Sequence, residues 1–380
     1  MDGDGNPNRG RRRPVRTVPA AEPEVDLSLA PGAEAAPACP PSPDVKVVNL
    51  ALQGGGAHGA FTWGVLDRLL EDGRIGVEGI SATSAGAMNA ACLAYGMAVG
   101  GPAEARAVLE RFWLRVSDSA ALSPLQPSWV DRLQANWGLE LSPTYTAFDL
   151  VTRLFSPYEF NPLNLNPLRQ VLEATVDFAV LRDAPCPVKL FLSATNVRTG
   201  RVKVFEKCEL SADAVLASAC LPFLFHAVEI DGEAYWDGGY MGNPAIFPLI
   251  YGCDSRDVIV VHINPTRRPE VPRTAREILN RVNEISFNSS LMREMRAIQF
   301  VTDLIDQGRV TDGKLKRMLV HAIAADEVMV RLGANSKLNA ERGFLTYLRD
   351  AGRRATEAWL EGGFGDLGER SGLDIRGAYL

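Results

Sequence analysis

Two short segments in the first quarter of the chain combine glycine and serine in a pattern that suits chemistry on an acyl group. A glycine run at 54–56 follows an apolar, β-branched segment at 45–52, and Ser84 follows a second such segment at 77–82. A serine in a tight strand-to-helix turn exposes its hydroxyl when its neighbours are small, as Ala85 and Gly86 are. Glycine N–H groups brought close to that hydroxyl can hold a developing oxyanion. The two segments predict a serine nucleophile beside an oxyanion hole.

A strand–helix–strand unit is needed to bring these segments together. Between them, apolar residues recur at helical spacing from Ala57 to Leu70, and Gly73 ends the pattern. Parallel strands carry their carboxyl ends to the same edge of a sheet, where α/β folds keep their sites. We therefore expect the glycine loop and the serine turn to lie side by side at that edge.

A third motif, DGG at 237–239, follows a predicted hairpin at 229–236 and places the carboxylate of Asp237 in a turn close to other backbone. The three motifs, GGGAHG at 54–59, ATSAG at 82–86 and DGG at 237–239, resemble the G-G-G-x-x-G loop, G-x-S-x-G elbow and D-G-G turn of the patatin-like phospholipase family. The resemblance covers residues 45–325. Ala82 departs from the pattern, because the family has glycine there, and it adds a methyl group at a crowded turn.

The resemblance implies a three-layer α/β/α fold with a mostly parallel central sheet. It also implies a serine-dependent lipid acyl hydrolase that cleaves carboxylic esters, with Ser84 as nucleophile and Asp237 as proton acceptor. No cofactor or metal is implied, and the substrate would be a lipid or another acyl ester. The remaining residues that the resemblance assigns are the oxyanion hole, formed by Gly54, Gly55, Gly56 and Ala85, and the other motif glycines, Gly59, Gly86, Gly238 and Gly239.

Alternatives remain open at this level. An acyltransferase would use the same serine and pass the acyl group to an alcohol or thiol, and a noncatalytic lipid-binding protein would keep the fold alone. A phosphate-loop nucleotide enzyme is disfavoured, because no Gly-Lys-Ser/Thr sequence follows the glycines. Of the four histidines, His226 is the rival base, whereas His58 occupies a motif position where the family often has a basic residue and is expected to steady the loop. His262 and His321 have apolar neighbours and are predicted to be packed in strands.

Composition limits the possible partners and location. A net charge of −6 gives no reason to expect nucleic acid, and six scattered cysteines suit reduced thiols in the cytoplasm. Residues 1–44, rich in proline, glycine, alanine and charge, predict a disordered tail. No stretch approaches the roughly 20 apolar residues of a membrane span. We expect a cytoplasmic protein with the patatin-like domain at 45–325 and a C-terminal helical extension at 326–380, and its oligomeric state is left open.

An aromatic region and the C-terminus complete the predictions. The segment at 117–167 mixes prolines with aromatic residues, and in the family it resembles the region that caps or lines the acyl pocket. Its side chains from Trp129 to Phe160 are the candidate acyl wall and a candidate peripheral contact with a membrane surface. The last 20 residues, rich in glycine and charge, are expected to be loose.

Overall fold

The computed structural model describes residues 45–121, 137–139, 142–311 and 313–380. The tail predicted at 1–44 and Trp129 of the candidate acyl wall lie outside these residues. The strands are β1 (Lys46–Leu52), β2 (Ile75–Ala82), β3 (Lys189–Asn196), β4 (Val202–Glu206), β5 (Val228–Ile230), β6 (Glu233–Asp237), β7 (Asp257–Val261) and β8 (Leu319–Ile323). The helices are α1 (Gly59–Asp72), α2 (Ala85–Ala120), α3 (Pro143–Leu154), α4 (Pro157–Phe160), α5 (Pro167–Glu173), α6 (Phe178–Asp183), α7 (Ala212–Ser218), α8 (Phe247–Gly252), α9 (Ala275–Asp306), α10 (Asp326–Met329), α11 (Arg342–Gly362) and α12 (Ile375–Tyr379).

The strands form one mixed sheet in the order β5-β6-β3-β2-β1-β7-β8, and β4 pairs with β3. The pairs β3–β2, β2–β1, β1–β7 and β7–β8 are parallel, whereas β4 and β6 run antiparallel to β3, as β5 does to β6. The continuous apolar runs of β1 and β7 suit this arrangement, since strands in a parallel sheet are covered on both faces. The predicted mostly parallel sheet is confirmed.

Helices cover both faces of the sheet. Leu50 and Leu52 of β1 pack into a core with α1, α2 and α11, whereas Ala51 between them packs into a second core with α8, α9 and α12. This alternation follows from the pleat of a strand, in which successive side chains point to opposite faces. The predicted three-layer α/β/α fold is confirmed.

The strand–helix–strand unit forms as the sequence predicts. Leu52, the last residue of β1, pairs with Ala82, the last residue of β2, so both strands end at the same edge of the sheet. Between them, α1 ends at Gly73, whose φ of 76° is the left-handed conformation that glycine adopts readily. The glycine loop and the serine turn therefore leave the sheet side by side.

Of the helices in the described residues, the two longest are α2, with 36 residues, and α9, with 32. The predicted break at 100–102 is present in α2, where Gly101 has φ 73° and ψ −159° and the chain resumes its helix at Pro102. Within the described residues, no helix combines the length and apolar character that crossing a bilayer requires.

The prediction that the last 20 residues are loose is wrong. Leu367, Ile375 and Tyr379 are buried, and the Tyr379 hydroxyl lies 2.5 Å from Nε2 of His262 beside the end of β7. A few widely spaced apolar anchors hold this segment on the fold, and its glycine-rich and charged composition conceals them.

The C-terminal helix α11 packs closely on α1 through two glycines. A Cβ on Gly64 would lie 1.9 Å from the Arg349 carbonyl oxygen, and one on Gly352 would lie 2.1 Å from the Phe61 carbonyl oxygen. Only glycine allows backbones to approach to this distance, so the chain after residue 325 packs directly on the helix that follows the glycine loop.

We predict that Gly352→Ala lowers the free energy of unfolding by about 1–3 kcal/mol, because the methyl group forces the helices apart. Gly362→Ala in the same helix is the matched control, since a Cβ there meets nothing within 4 Å. That variant should match the wild type or gain up to about 1 kcal/mol of helix propensity. Denaturant unfolding measures both, and equal effects of the two substitutions would contradict the close crossing.

Candidate active site

Ser84 occupies a strained turn between β2 and α2. Its φ of 56° and ψ of −124° lie where residues other than glycine are uncommon, which is the conformation of a nucleophile elbow. Its N–H donates to Oγ of Ser218 at 2.9 Å, and that hydroxyl anchors the turn to the end of α7. Gly86 lets the helix approach β1, because a Cβ there would lie 2.4 Å from the Leu52 carbonyl oxygen. The turn forms with Ala82 in place of the family's glycine.

The glycine loop contacts the serine turn directly. A Cβ on Gly54 would lie 2.6 Å from Cβ of Ser84, and one on Gly59 would lie 2.6 Å from Cβ of Ala85. Gly56 has φ 57° and begins a single 3₁₀ turn that leads into α1. The structure therefore brings the first two predicted motifs into contact at one edge of the sheet.

The N–H groups of these residues differ in what they contact. That of Gly54 donates to Oδ1 of Asn243 at 2.7 Å, so it is already engaged. Within the described residues, those of Gly55, Gly56 and Ala85 donate to no protein acceptor. This differs from the expectation that Gly54 also donates to an oxyanion: its N–H fixes the loop instead, and the other three groups remain available.

The register of the sheet places Asp237 near Ser84. Leu192 of β3 pairs with Ala82, and Ala194, two residues further on, pairs with Asp237 at the end of β6. Ser84 also lies two residues beyond Ala82, so the hydroxyl and the carboxyl leave β2 and β6, which lie on either side of β3, at a similar level. Gly238 is required at this point, because a Cβ there would lie 2.1 Å from the Ser193 carbonyl oxygen.

The Asp237 carboxyl is buried, with 1 % of the residue exposed. Its Oδ1 accepts a hydrogen bond from the Gly239 N–H at 2.7 Å, and its Oδ2 meets no partner with normal hydrogen-bond geometry. Burial raises the pKa of Asp237 to about 7, while the Gly239 N–H, the nearby Ser84 hydroxyl and the charge of Lys337 act in the opposite direction. The Ser84 hydroxyl thus influences the carboxyl without a strict hydrogen bond in the resting geometry. Such looseness is common before substrate binds.

The four histidines make contacts away from this carboxyl. His226 stacks on the ring of Tyr158, with centroids 4.1 Å apart, and its Nε2 lies 3.0 Å from the Pro157 carbonyl oxygen. Since a carbonyl only accepts, that nitrogen carries the proton. His321 bonds to Asp257 inside the sheet, so its predicted packing in a strand agrees with the structure. Among the described residues, no three His, Cys, Asp or Glu side chains form a group that could hold a metal ion.

Sequence reasoning missed a buried polar network beneath the glycine loop. Oε1 of Gln53 accepts from the N–H groups of Ile263 and Asn264 at 2.9 and 3.0 Å, and Nδ2 of Asn264 donates to the Gly54 carbonyl oxygen at 2.8 Å. With Asn243 on its N–H, Gly54 is held from both sides of its backbone. The position of Asn264, three residues after β7 at the active edge of the sheet, was the available signal.

The candidate acyl wall is described only in part. Trp137 stacks on Phe344 and Tyr347 of α11, with ring centroids 5.3 and 5.7 Å apart, so it belongs to the packing of that helix. Phe148 of α3 meets the edge of Phe160, with centroids 6.5 Å apart. An acyl-wall role for this region remains a prediction.

We predict that Asp237→Asn stabilises the fold at neutral pH. The folded-state pKa lies above the ordinary value of 3.8, at about 7. The folded state therefore holds the proton more tightly than the unfolded state, and stability falls as pH rises from about 4 to 7. An amide cannot ionise, so the variant avoids the cost of a buried carboxylate. Its free energy of unfolding should exceed that of the wild type by up to about 4 kcal/mol at pH 8 and be close to it at pH 4.

Unfolding curves of both proteins between pH 4 and pH 8 measure that difference. Glu294, whose pKa burial also raises to about 7, contributes the same pH dependence to both proteins and cancels. A difference that stays constant over this range would contradict the raised pKa.

The comparisons with known proteins extend this picture. A family model described as patatin-like phospholipase matches residues 50–250, more than half of the 380 residues, and its match includes the glycine loop, Ser84 and Asp237. No curated protein matches the chain.

Among solved structures, the chain is similar to VipD from Legionella pneumophila, with 17 % identity, 84 % of this chain and 67 % of VipD covered, and a TM-score of 0.41. It is also similar to the type III effector protein ExoU, with 16 % identity, 83 % of this chain and 53 % of ExoU covered, and a TM-score of 0.31. A third similar structure is the complex of SpcU with ExoU from Pseudomonas aeruginosa. The identity is 15 %, the match covers 84 % of this chain and 53 % of that chain, and the TM-score is 0.30. The chain thus spans about half the length of ExoU. With three motifs in family order and a family model matching across them, this chain belongs to the patatin-like phospholipase family.

Proposed function

We propose that this protein is a serine-dependent lipid acyl hydrolase that cleaves carboxylic ester bonds with a Ser84–Asp237 dyad. One observation carries the proposal: a serine with left-handed backbone packs against the glycine loop beside a buried carboxyl whose pKa lies near neutrality. Perturbed carboxyls of this kind concentrate at functional sites. Membership of the phospholipase family supports a lipid ester as the substrate.

In the proposed first step, Oγ of Ser84 attacks the ester carbonyl carbon while Asp237 accepts the hydroxyl proton. The carbonyl π electrons move to oxygen, and the N–H groups of Gly55, Gly56 and Ala85 hold that oxyanion. Collapse of the intermediate expels the alcohol, which takes the proton from Asp237 and leaves an acyl-serine. Water then attacks with the same base, releases the fatty acid and restores Ser84.

The buried carboxyl and the start of α2 both suit this mechanism. A base works best when its pKa lies near the operating pH, and a pKa of about 7 meets that condition. The Ala85 N–H lies at the N-terminus of α2, where free N–H groups and the helix dipole favour negative charge. The dyad and the oxyanion donors would therefore act at the same carbonyl.

We predict that Ser84→Ala abolishes turnover of p-nitrophenyl and phospholipid esters. Asp237→Asn should lower kcat by about 10²–10⁴-fold, because the amide cannot accept the proton. In the wild type, kcat/KM should rise with pH, reach half its maximum near pH 7 and level off above that, since only the ionised carboxyl is active. Steady-state kinetics on purified protein, with circular dichroism to verify folding, measures all three effects.

His226→Ala is the matched control and should retain activity, since its ring faces Tyr158 and Pro157. An inactive His226→Ala together with an active Asp237→Asn would replace the dyad with a histidine relay. Acyl release with and without an added alcohol acceptor separates hydrolysis from acyl transfer. Transfer that exceeds release into water would favour the acyltransferase.

We also propose that an apolar surface around α3 and α4 contacts the lipid surface from which substrate is drawn. Leu154, Leu163 and Phe223 are 67 %, 78 % and 70 % exposed. The surface adjoins the proposed site, because Phe223 lies three residues after Cys220, whose carbonyl oxygen accepts from the Asp237 N–H at 2.7 Å. Exposed apolar side chains in such number are typical of interaction surfaces.

We predict that the double variant Leu163→Asp/Phe223→Asp lowers turnover of phospholipid in vesicles by about tenfold or more. Turnover of a short-chain soluble ester should stay close to wild type, because the site itself is unchanged. Val99→Asp is the control, since Val99 is exposed and lies about 21 Å along α2 from Ala85. An equal loss on both substrates, or none on vesicles, would contradict this docking surface.

A further inference from the structure

A short segment near the C-terminus packs on the outside of the glycine loop. It is the 3₁₀ turn Ala334–Leu338, far beyond the residues 50–250 matched by the family model. A Cβ on Gly56 would lie 2.5 Å from the Lys337 carbonyl oxygen. His58 of the loop reaches the same segment, with Nε2 2.8 Å from Oγ of Ser336. This turn therefore forms one wall of the loop that carries the proposed oxyanion donors.

The basic position inside the glycine motif carries no charge in this protein. Burial, together with the charges of Lys337 and Arg268, holds the pKa of His58 well below its ordinary range. Oγ of Ser336 donates to the Gly333 carbonyl oxygen at 2.7 Å, so it can only accept from His58. His58 is therefore the neutral tautomer with its proton on Nε2, and it fastens the loop to the C-terminal turn.

Lys337 brings an ammonium group to the same place; burial lowers its pKa from the ordinary value of 10.5, while the carboxylates of Glu284 and Asp237 favour the charged form. Its Nζ donates to Oδ1 of Asn264 at 2.7 Å, and Nδ2 of that asparagine donates to the Gly54 carbonyl oxygen at 2.8 Å. A chain of two hydrogen bonds thus joins the ammonium group to the backbone of the glycine loop. The ring of Phe287 lies beside it, with its centroid 5.9 Å from Nζ.

The Lys337 charge is not matched by a carboxylate of its own. Glu284 faces the same space, but Arg268 binds it through two nitrogens and Arg281 adds a contact at 3.2 Å. In the described part of the chain, no carboxylate lies within salt-bridge distance of Lys337. Besides Glu284, the carboxyl that interacts with the Lys337 charge is that of Asp237.

We propose that Lys337 is a positioning residue for the ester hydrolysis, holding the glycine loop through Asn264 and presenting its positive charge to the Ser84–Asp237 dyad. This inference rests on the proposed function. During attack on the ester, negative charge moves from Asp237 to the oxyanion at the loop. A cation that interacts with Asp237 and is linked to the loop through Asn264 favours the resting carboxylate and the developing oxyanion alike. Lys337 then supplies from the C-terminal turn the charge that His58 does not carry.

The other groups that face Asp237 cannot replace this cation. Cys220 and Tyr240 lie beside the carboxyl, and burial raises the pKa of each to about 12, so both are neutral at the pH of catalysis. The nearby Ser84 hydroxyl favours the ionised carboxyl but carries no charge. Removing the Lys337 charge should therefore raise the pKa of Asp237 and reduce the active fraction at neutral pH.

The test compares the pH profile of kcat/KM on a soluble ester for the wild type, Lys337→Met, Lys337→Gln and Lys337→Arg. We expect the acidic limb of the kcat/KM profile to lie on the order of one pH unit higher in the Met and Gln variants than in the wild type. Their kcat/KM at pH 6.5 should then fall by about tenfold more than at pH 9. Lys337→Arg should return the limb toward its wild-type position, because it restores the charge.

Lys46→Met is the matched control. Lys46 is a half-buried lysine that donates to the Phe364 and Leu367 carbonyl oxygens at 3.1 and 2.8 Å, at the opposite end of β1 from the loop. The acidic limb of its kcat/KM profile should lie at the same pH as in the wild type, whether or not the substitution changes stability. If Lys337→Met does not fold, the Gln and Arg variants decide, since a glutamine amide can still donate toward Asn264 without charge.

Two failures are distinguishable in this experiment. A wild-type protein without Ser84-dependent turnover contradicts the proposed function. The role of Lys337 is overturned, and the dyad left intact, by an active wild type together with either of two results. In one, neither neutral variant shifts the acidic limb of the pH profile; in the other, Lys337→Arg shifts it as much as they do.

Discussion

The burial of the Asp237 carboxyl beside Ser84 is the constraint on which the rest of this site depends. A carboxylate with one unpartnered oxygen inside a protein is costly, and burial raises its pKa to about 7. The fold keeps it there because β6 pairs with β3 and the two following glycines permit a turn against β3 and Phe287. This local cost to stability yields a group that can take a proton near neutral pH.

The glycine loop is placed by parts of the chain far from it in sequence. Asn243 holds the N–H of Gly54 and Asn264 holds its carbonyl, so the loop's first peptide groups are fixed from two directions. The C-terminal turn closes the outer side, and α11 packs on the helix that the loop begins. The site is thus a product of the whole α/β/α unit, and the residues after 325 belong to its support.

Much of the fold and the three motifs could be predicted from local sequence. Strand runs, the glycine stops at Gly73 and Gly101 and the shared strand edge depend on neighbouring residues, and these appear as predicted. The engagement of the Gly54 N–H and the approach of Lys337 depend on tertiary contacts that no local pattern encodes, and for the network around Asn264 the sequence offers only a position after a strand. The prediction that the C-terminal residues are loose is wrong for the same reason, since distant contacts of Leu367, Ile375 and Tyr379 hold them on the fold.

The Ser84–Asp237 dyad is tested most directly by the rate at which a fluorophosphonate modifies the protein, followed by mass spectrometry between pH 5 and pH 9. With Asp237 as the base, we expect a single adduct on Ser84, with a rate that rises with pH, reaches half its maximum near pH 7 and collapses in Asp237→Asn. An adduct on another residue, or a Ser84 rate that Asp237→Asn leaves unchanged, would contradict it.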